Sequence, residues 1–145
     1  MTASARLILP APCHEAIARH AERAFPEECC GTLLGRDEDD GTRVIVDVLP
    51  VENTKGEERE RRYLIEPRAL LDAERDARRR GLDVVGIYHS HPNHPSRPSE
   101  FDRVHAMPFW SYVIVSCMEG RAASLESWRL TEDRTAFDPE PVAPS

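Results

Sequence analysis

Three of the six histidines of this 145-residue chain fall within six positions, as His89, His91 and His94. His89 and His91 lie at the end of an apolar run, Leu82 to Tyr88, that reads as a β-strand. Side chains two apart on a strand project to one face, with backbones about 7 Å apart. Two imidazoles so placed can converge on one metal ion, because zinc–nitrogen bonds of about 2.0–2.1 Å are within their reach. A catalytic zinc needs a third protein ligand and one open position. Asp102 is the first candidate, at the third position of a short helix that Ser99 would cap. The pair Ser99-x-x-Asp102 also satisfies a capping box, which serves only the helix N–H groups. His94, set between two prolines, competes for the third place.

The elements that must hold these residues can be read on either side of them. Leu7–Leu9 is expected as a short strand, and Pro12 suits the first turn of a helix carrying Ile17, Ala21 and Ala24 at helical spacing. Cys30–Gly35 and Arg43–Val51 read as strands, with Glu52–Arg62 between them and the next element as a mobile polar loop. Arg62–Ile65 is expected as a short strand, and Pro67 opens a helix that ends at Gly81. The run Arg78-Arg79-Arg80 sits in the last turn of that helix, where basic groups complement the helix dipole, so a solvated face explains it. Pro92 is expected to stop the histidine strand, and Pro92–Pro98 to form a loop. A short helix from Ser99 to Ala106 follows. Trp110–Met118 and Ala122–Leu130 then read as a hairpin turning at Glu119-Gly120. The Pro-rich residues 138–145 are expected to fray. Strands alternating with helices make the chain α/β or α+β, with a mixed central sheet flanked by helices and one domain over residues 1–137.

Composition narrows the function classes. Apolar residues are 40% and charged residues 31%, ordinary for a globular domain. Nineteen Lys and Arg against 26 Asp and Glu give a net charge of −7, which argues against nucleic acid or an anionic membrane as the main partner. No apolar run approaches the roughly 20 residues of a membrane span, and the first ten residues show no leader pattern, so a cytoplasmic location is expected. Cys13, Cys29, Cys30 and Cys117 form no C-x-x-C pair and read as buried small apolar residues. Tyr88 and Trp110 read as core residues, with a place at the border of the site as the alternative, and His14, His20 and His105 as surface or helix-face residues. Ser90, between the two histidines, should face the opposite side of the strand.

His89-Ser-His91-Pro92, then six residues, then Ser99-x-x-Asp102, resembles the zinc motif of the JAMM (MPN-plus) metallopeptidases. Upstream, Glu28-Cys-Cys-Gly31 resembles the family's opening strand, where a glutamate stands three residues before a glycine. The resemblance spans about Leu7 to Leu130, with Asn53 in the expected order, and is to the compact prokaryotic type. It implies a mixed sheet similar to that of cytidine deaminases, and one Zn2+ held by His89, His91 and Asp102 with water in the fourth place. It further implies Glu28, rather than Glu27, as general base, and Ser99 as hydrogen-bond donor to the oxyanion. Zinc lowers the pKa of its water toward about 7, and a carboxylate shuttling the proton contributes roughly a hundred- to ten-thousand-fold. The implied substrate is an amide at the C-terminal glycine of a ubiquitin-like or sulfur-carrier protein, with a homodimer left open. A metal-free MPN scaffold is the alternative, but here every ligand position is filled. A deaminase would need H-x-E together with P-C-x-x-C; His20-Ala21-Glu22 matches the first string, but the second does not occur. A structural zinc site would not leave a corner open.

Overall fold

The two faces of one sheet divide the apolar residues of this chain. A computed structural model describes residues 6–145; the reading of the first ten residues as free of a leader lies in part outside them. In chain order the elements are β1 (Arg6–Ile8), α1 (Ala11–Ala24), β2 (Cys30–Asp37), β3 (Thr42–Val51) and a single 3-10 turn at Gly56–Glu58. They continue with α2 (Pro67–Arg79), β4 (Asp83–Pro92), α3 (Glu100–His105), β5 (Ser111–Met118), β6 (Arg121–Leu130), β7 (Phe137–Glu140) and β8 (Val142–Ala143). The strands form one mixed eight-stranded sheet in the order β7-β6-β5-β4-β2-β3-β1-β8. β4 is central, antiparallel to β2 and parallel to β5. The expected α+β architecture with a mixed sheet is what the chain adopts.

On one face, α1 lays Cys13, Ile17 and Ala21, spaced by four, against Leu33, Ile45, Tyr88, Val113 and Val115. Tyr88 is fully buried, and its ring lies against Gly31, its partner across the β2–β4 ladder. A Cβ at Gly31 would overlap that ring and the Leu49 carbonyl, which is why a residue without a side chain stands there. The Tyr88 hydroxyl lies 2.7 Å from His20 Nδ1, so His20 is tied into the core rather than left on the helix surface. On the other face Ile87, Tyr112 and Leu130 pack with Tyr63, Ile65, Trp110 and Phe137. The basic run at the end of α2 is solvated, with Arg79 and Arg80 paired to Asp76 and Arg80 also to Asp47.

Four further expectations need correction. Arg62–Ile65 adds no strand to the sheet; it is an irregular segment whose ends are bonded to Asn53. The polar loop before it is not loosely held, because the Arg59 carbonyl accepts from Glu28 N–H and Asn53 binds the backbone on both sides. β4 ends at Pro92 as expected but runs on past Tyr88: His89, Ser90, His91 and Pro92 all stay in register with β5, from Ile114 to Cys117. Proline is accepted at this last position because Asn93 N–H, not its own missing one, reaches the Cys117 carbonyl at 2.7 Å.

The fourth correction concerns the C-terminus. Residues 137–143 are not frayed but form both edge strands, β7 on β6 and β8 on β1. In a flat sheet those edges would stand about 34 Å apart at 4.8 Å per strand interval. One residue, Pro141, separates β7 from β8, and such a link spans at most about 7 Å. The sheet therefore curls around α1, which touches β3, β4, β5 and β6, until the tail bridges its edges. The Pro141 and Ala143 carbonyls accept from Leu7 and Leu9 N–H at 2.8 Å. Glu140, 4% exposed, accepts from the Ser127 hydroxyl at 2.8 Å and from Arg129 at 2.9 Å. Deleting residues 137–145 should lower the unfolding free energy by about 3 kcal/mol or more and promote association through the bared edges, read by urea denaturation and light scattering. An unchanged midpoint would show that the tail closes nothing.

Candidate metal centre

Alternation along β4 aims His89 and His91 to one side, and both are buried. Ser90 faces the other way, where its hydroxyl accepts from Cys29 N–H at 2.8 Å and ties β4 to the start of β2. The loop after β4 brings α3 back over the histidines. It is fastened by Ser116 Oγ donating to the His94 carbonyl and by Trp128 Nε1 donating to the Ser96 carbonyl at 2.9 Å. Ser99 caps α3 by accepting from Asp102 N–H at 3.1 Å, and Asp102 Oδ2 accepts from Ser99 N–H at 2.8 Å. The same Oδ2 lies 3.2 Å from His91 Nε2 and 3.4 Å from His89 Nε2. The capping box and the candidate ligand set thus share one carboxylate: the reciprocal cap holds it over the strand.

The donor set fits a divalent cation. His91 Nδ1 donates to the Pro95 carbonyl at 2.8 Å, so the neutral ring turns a bare Nε2 lone pair toward Asp102 and toward His89 Nε2, 3.2 Å away. Three Lewis bases at mutual distances of 3.2, 3.2 and 3.4 Å repel one another unless positive charge sits between them. Ligands of a tetrahedral zinc with 2.0–2.1 Å bonds stand about 3.3–3.4 Å apart, which matches. Burial alone would raise the Asp102 carboxyl, but the charge and hydrogen bonding of His89, with bonds from His91 and Ser99, hold it well below the usual carboxylate range. Burial lowers His91, yet its bonds to Asp102 and Pro95 outweigh that and raise it. His89 Nδ1 is buried without a partner, and the ring stacks on Tyr63 with centroids 4.5 Å apart.

Glu28 and Glu27 part company at the start of β2. Glu27 turns outward to pair with Arg59 at 3.3 Å. Glu28 is 5% exposed and lines a cavity of about 330 Å³ together with His91 and Ser99. Burial raises its carboxyl, opposed in part by His89 and His91. Asn53 holds Glu28 in place by donating to its carbonyl at 3.0 Å and to the Arg62 carbonyl at 2.9 Å. A second cavity, of about 260 Å³, lies on the Asp102 side and is walled by Tyr63, Ile65, Phe101, Trp110 and Tyr112.

His89, His91 and Asp102 come together, with Glu28 and Ser99 beside them. His94 is exposed, outside the ligand group, on the rim of the Glu28 cavity. All four cysteines are buried and free. Sequence reasoning missed Tyr63, whose apolar neighbours disguised it as part of a strand, and the Pro95 carbonyl, a backbone atom with no sequence signal.

Residues 10–131 match the family of prokaryotic homologs of the JAB domain, and the chain belongs to that family. It is 32% identical over 136 residues to the desampylase of Haloferax volcanii, covering 90% of this chain and 94% of that protein. It is 28% identical to the CysO-cysteine peptidase of Mycobacterium tuberculosis, covering 92% and 88%. A protein of Desulfitobacterium hafniense, solved in solution, superposes with a TM-score of 0.83 at 30% identity, covering 96% and 92% of the two chains.

Asp102→Ala should weaken metal binding by more than about 100-fold, since loss of even an outer-shell partner costs 10–100-fold. It should also cost about 1 kcal/mol as the capping box opens. Competition with a chelator and thermal unfolding read the two effects; full metal affinity in the variant would remove Asp102 from the ligand set.

Proposed function

We propose that this chain is a zinc-dependent peptidase that hydrolyses the amide joining the C-terminal glycine of a ubiquitin-like or sulfur-carrier protein to an amine. The observation that carries this is the placement of Glu28 and Ser99 on the cavity that reaches His91 of the buried His89–His91–Asp102 group. A structural site has no use for a buried, unpaired carboxylate and a hydroxyl at its open side. The relatives' names, a desampylase and a CysO-cysteine peptidase, support the substrate class.

Zinc held by His89, His91 and Asp102 would polarise the amide carbonyl and make a water acidic enough to attack at neutral pH. Glu28 takes the proton of that water and delivers it to the departing nitrogen. The water oxygen ends on the acyl carbon, and the C–N bond breaks. A carboxyl raised by burial suits this exchange, because it gives the proton up as readily as it takes it. Ser99 already accepts from Asp102 N–H, which leaves its own O–H proton free to donate. It donates to the oxygen that gains charge as the amide carbon is attacked. The His91–Pro95 bond keeps one ring tautomer throughout.

No helix among the described residues is long and apolar enough to cross a membrane. Four free cysteines suit a reducing compartment, and the cytoplasm is the proposed location.

Glu28→Gln should keep metal content and fold while lowering turnover by about a hundred- to ten-thousand-fold; unchanged turnover would place the base elsewhere, first at Glu27. Ser99→Ala should lower kcat by about 100-fold or more, and Ser99→Thr, which keeps both cap and donor, should restore most of it. Mass spectrometry of candidate carriers with C-terminal adducts, before and after incubation with the zinc-loaded chain, tests the activity itself. Carriers left intact across the set would count against the peptidase reading.

A further inference from the structure

The cavity holding Glu28 has a charge opposite to that of the protein. In a chain with seven more acidic than basic side chains, its walls include Arg61, Arg97 and His94, and Glu28 is the one acidic side chain among them. Neighbouring arginines on the same loop are neutralised, Arg59 by Glu27 and Arg62 by Glu58. Arg61 and Arg97, both exposed, have no carboxylate within 4.0 Å and no side-chain hydrogen bond among the described residues. The cavity on the other side of Asp102 is apolar and aromatic, with Lys55 and His105 at its margin. The metal group therefore lies between a cationic chamber and an apolar one.

The reaction orients a substrate across the two. Glu28 hands its proton to the departing nitrogen, so the leaving amine must stand on the Glu28 side. Whatever else that amine carries then lies among Arg61, Arg97 and His94. An α-amino acid presents a carboxylate one carbon from its nitrogen; a lysine ε-amine presents only an uncharged methylene chain there. Guanidinium groups are donors suited to planar carboxylates.

We propose that Arg61 and Arg97 form a carboxylate-binding subsite that selects leaving groups with a free α-carboxylate. The preferred substrate is then a carrier protein extended at its C-terminus by one amino acid, ahead of a carrier joined to a lysine side chain. This rests on the peptidase reading for its orientation, and the two fail in different ways.

The probes are two labelled synthetic peptides ending in Gly-Gly-Ala, one with a free carboxylate and one amidated. Binding is measured by fluorescence anisotropy on the zinc-loaded Glu28→Gln chain, and hydrolysis on the zinc-loaded wild type. The free acid should bind about tenfold tighter than the amide, the scale of two partly exposed charged contacts, and the difference should shrink with added salt. Adding Arg61→Gln and Arg97→Gln should bring the two peptides within about twofold by weakening only the acid. In an otherwise wild-type chain the same pair should raise KM for the acid and leave kcat, and cleavage of the amide, unchanged. Equal or undetectable binding of the two peptides, or a preference that survives both substitutions, overturns the subsite. A binding preference that depends on the arginines, with neither peptide hydrolysed, supports the subsite and retires the peptidase reading.

Discussion

One carboxylate oxygen, Asp102 Oδ2, joins the two halves of the site. It accepts from Ser99 N–H at 2.8 Å and stands 3.2 and 3.4 Å from the two histidine nitrogens. A free aspartate would pay side-chain entropy to hold this position and would turn away from two electron-rich rings. The reciprocal cap removes that freedom before any cation arrives. It also keeps Ser99 bonded through its acceptor side, so its hydroxyl proton points to use elsewhere. The helix start and the candidate catalytic centre are therefore a single structural element.

The opposing wall is fixed by a different device. β4 lies between β2 and β5; His89 pairs with Cys30 and Ile114 and His91 with Ser116, so the histidines cannot shift by one residue in register without moving every side chain of the strand to the other face. Ser90 ties β4 to Cys29, next to Glu28, and Asn53 bonds the Glu28 carbonyl to the segment carrying Tyr63. Gly31 lets β2 pass beneath the Tyr88 ring. The Glu28 carboxylate thus approaches the ligand group from backbone restrained at both ends. The tail from Phe137 to Ala143 closes the sheet, so the curvature that brings β2, β4 and α3 together is held by residues outside the candidate ligand group.

Electrostatics divides the surroundings of the centre. Aromatic and aliphatic groups line one side, while unpaired guanidinium groups line the side that holds Glu28. A protein with excess negative charge repels anions in general. A local pair of uncompensated arginines, Arg61 and Arg97, opposes that field in the cavity beside Glu28.

Much of this was legible from residue order alone, because the informative relations were short-range. Spacing by two on a strand aligns His89 with His91, and Ser99-x-x-Asp102 obeys helix geometry; both follow from backbone periods. The sequence weighed a capping role for Asp102 against a ligand role; the structure places the capping Oδ2 within 3.4 Å of both histidine nitrogens, so the two roles do not exclude each other. Glu28 could be separated from Glu27 by resemblance but not by chemistry, since which of two adjacent carboxylates turns inward depends on the Asn53 and Arg59 contacts. The tail misled for a related reason: its prolines describe local reluctance to join a ladder. Their weight was outmatched by two open sheet edges that exist only once the sheet has curled. Sequence determined which groups share a face, and tertiary structure decided which faces meet, because contacts between distant segments depend on curvature and packing that no local pattern encodes.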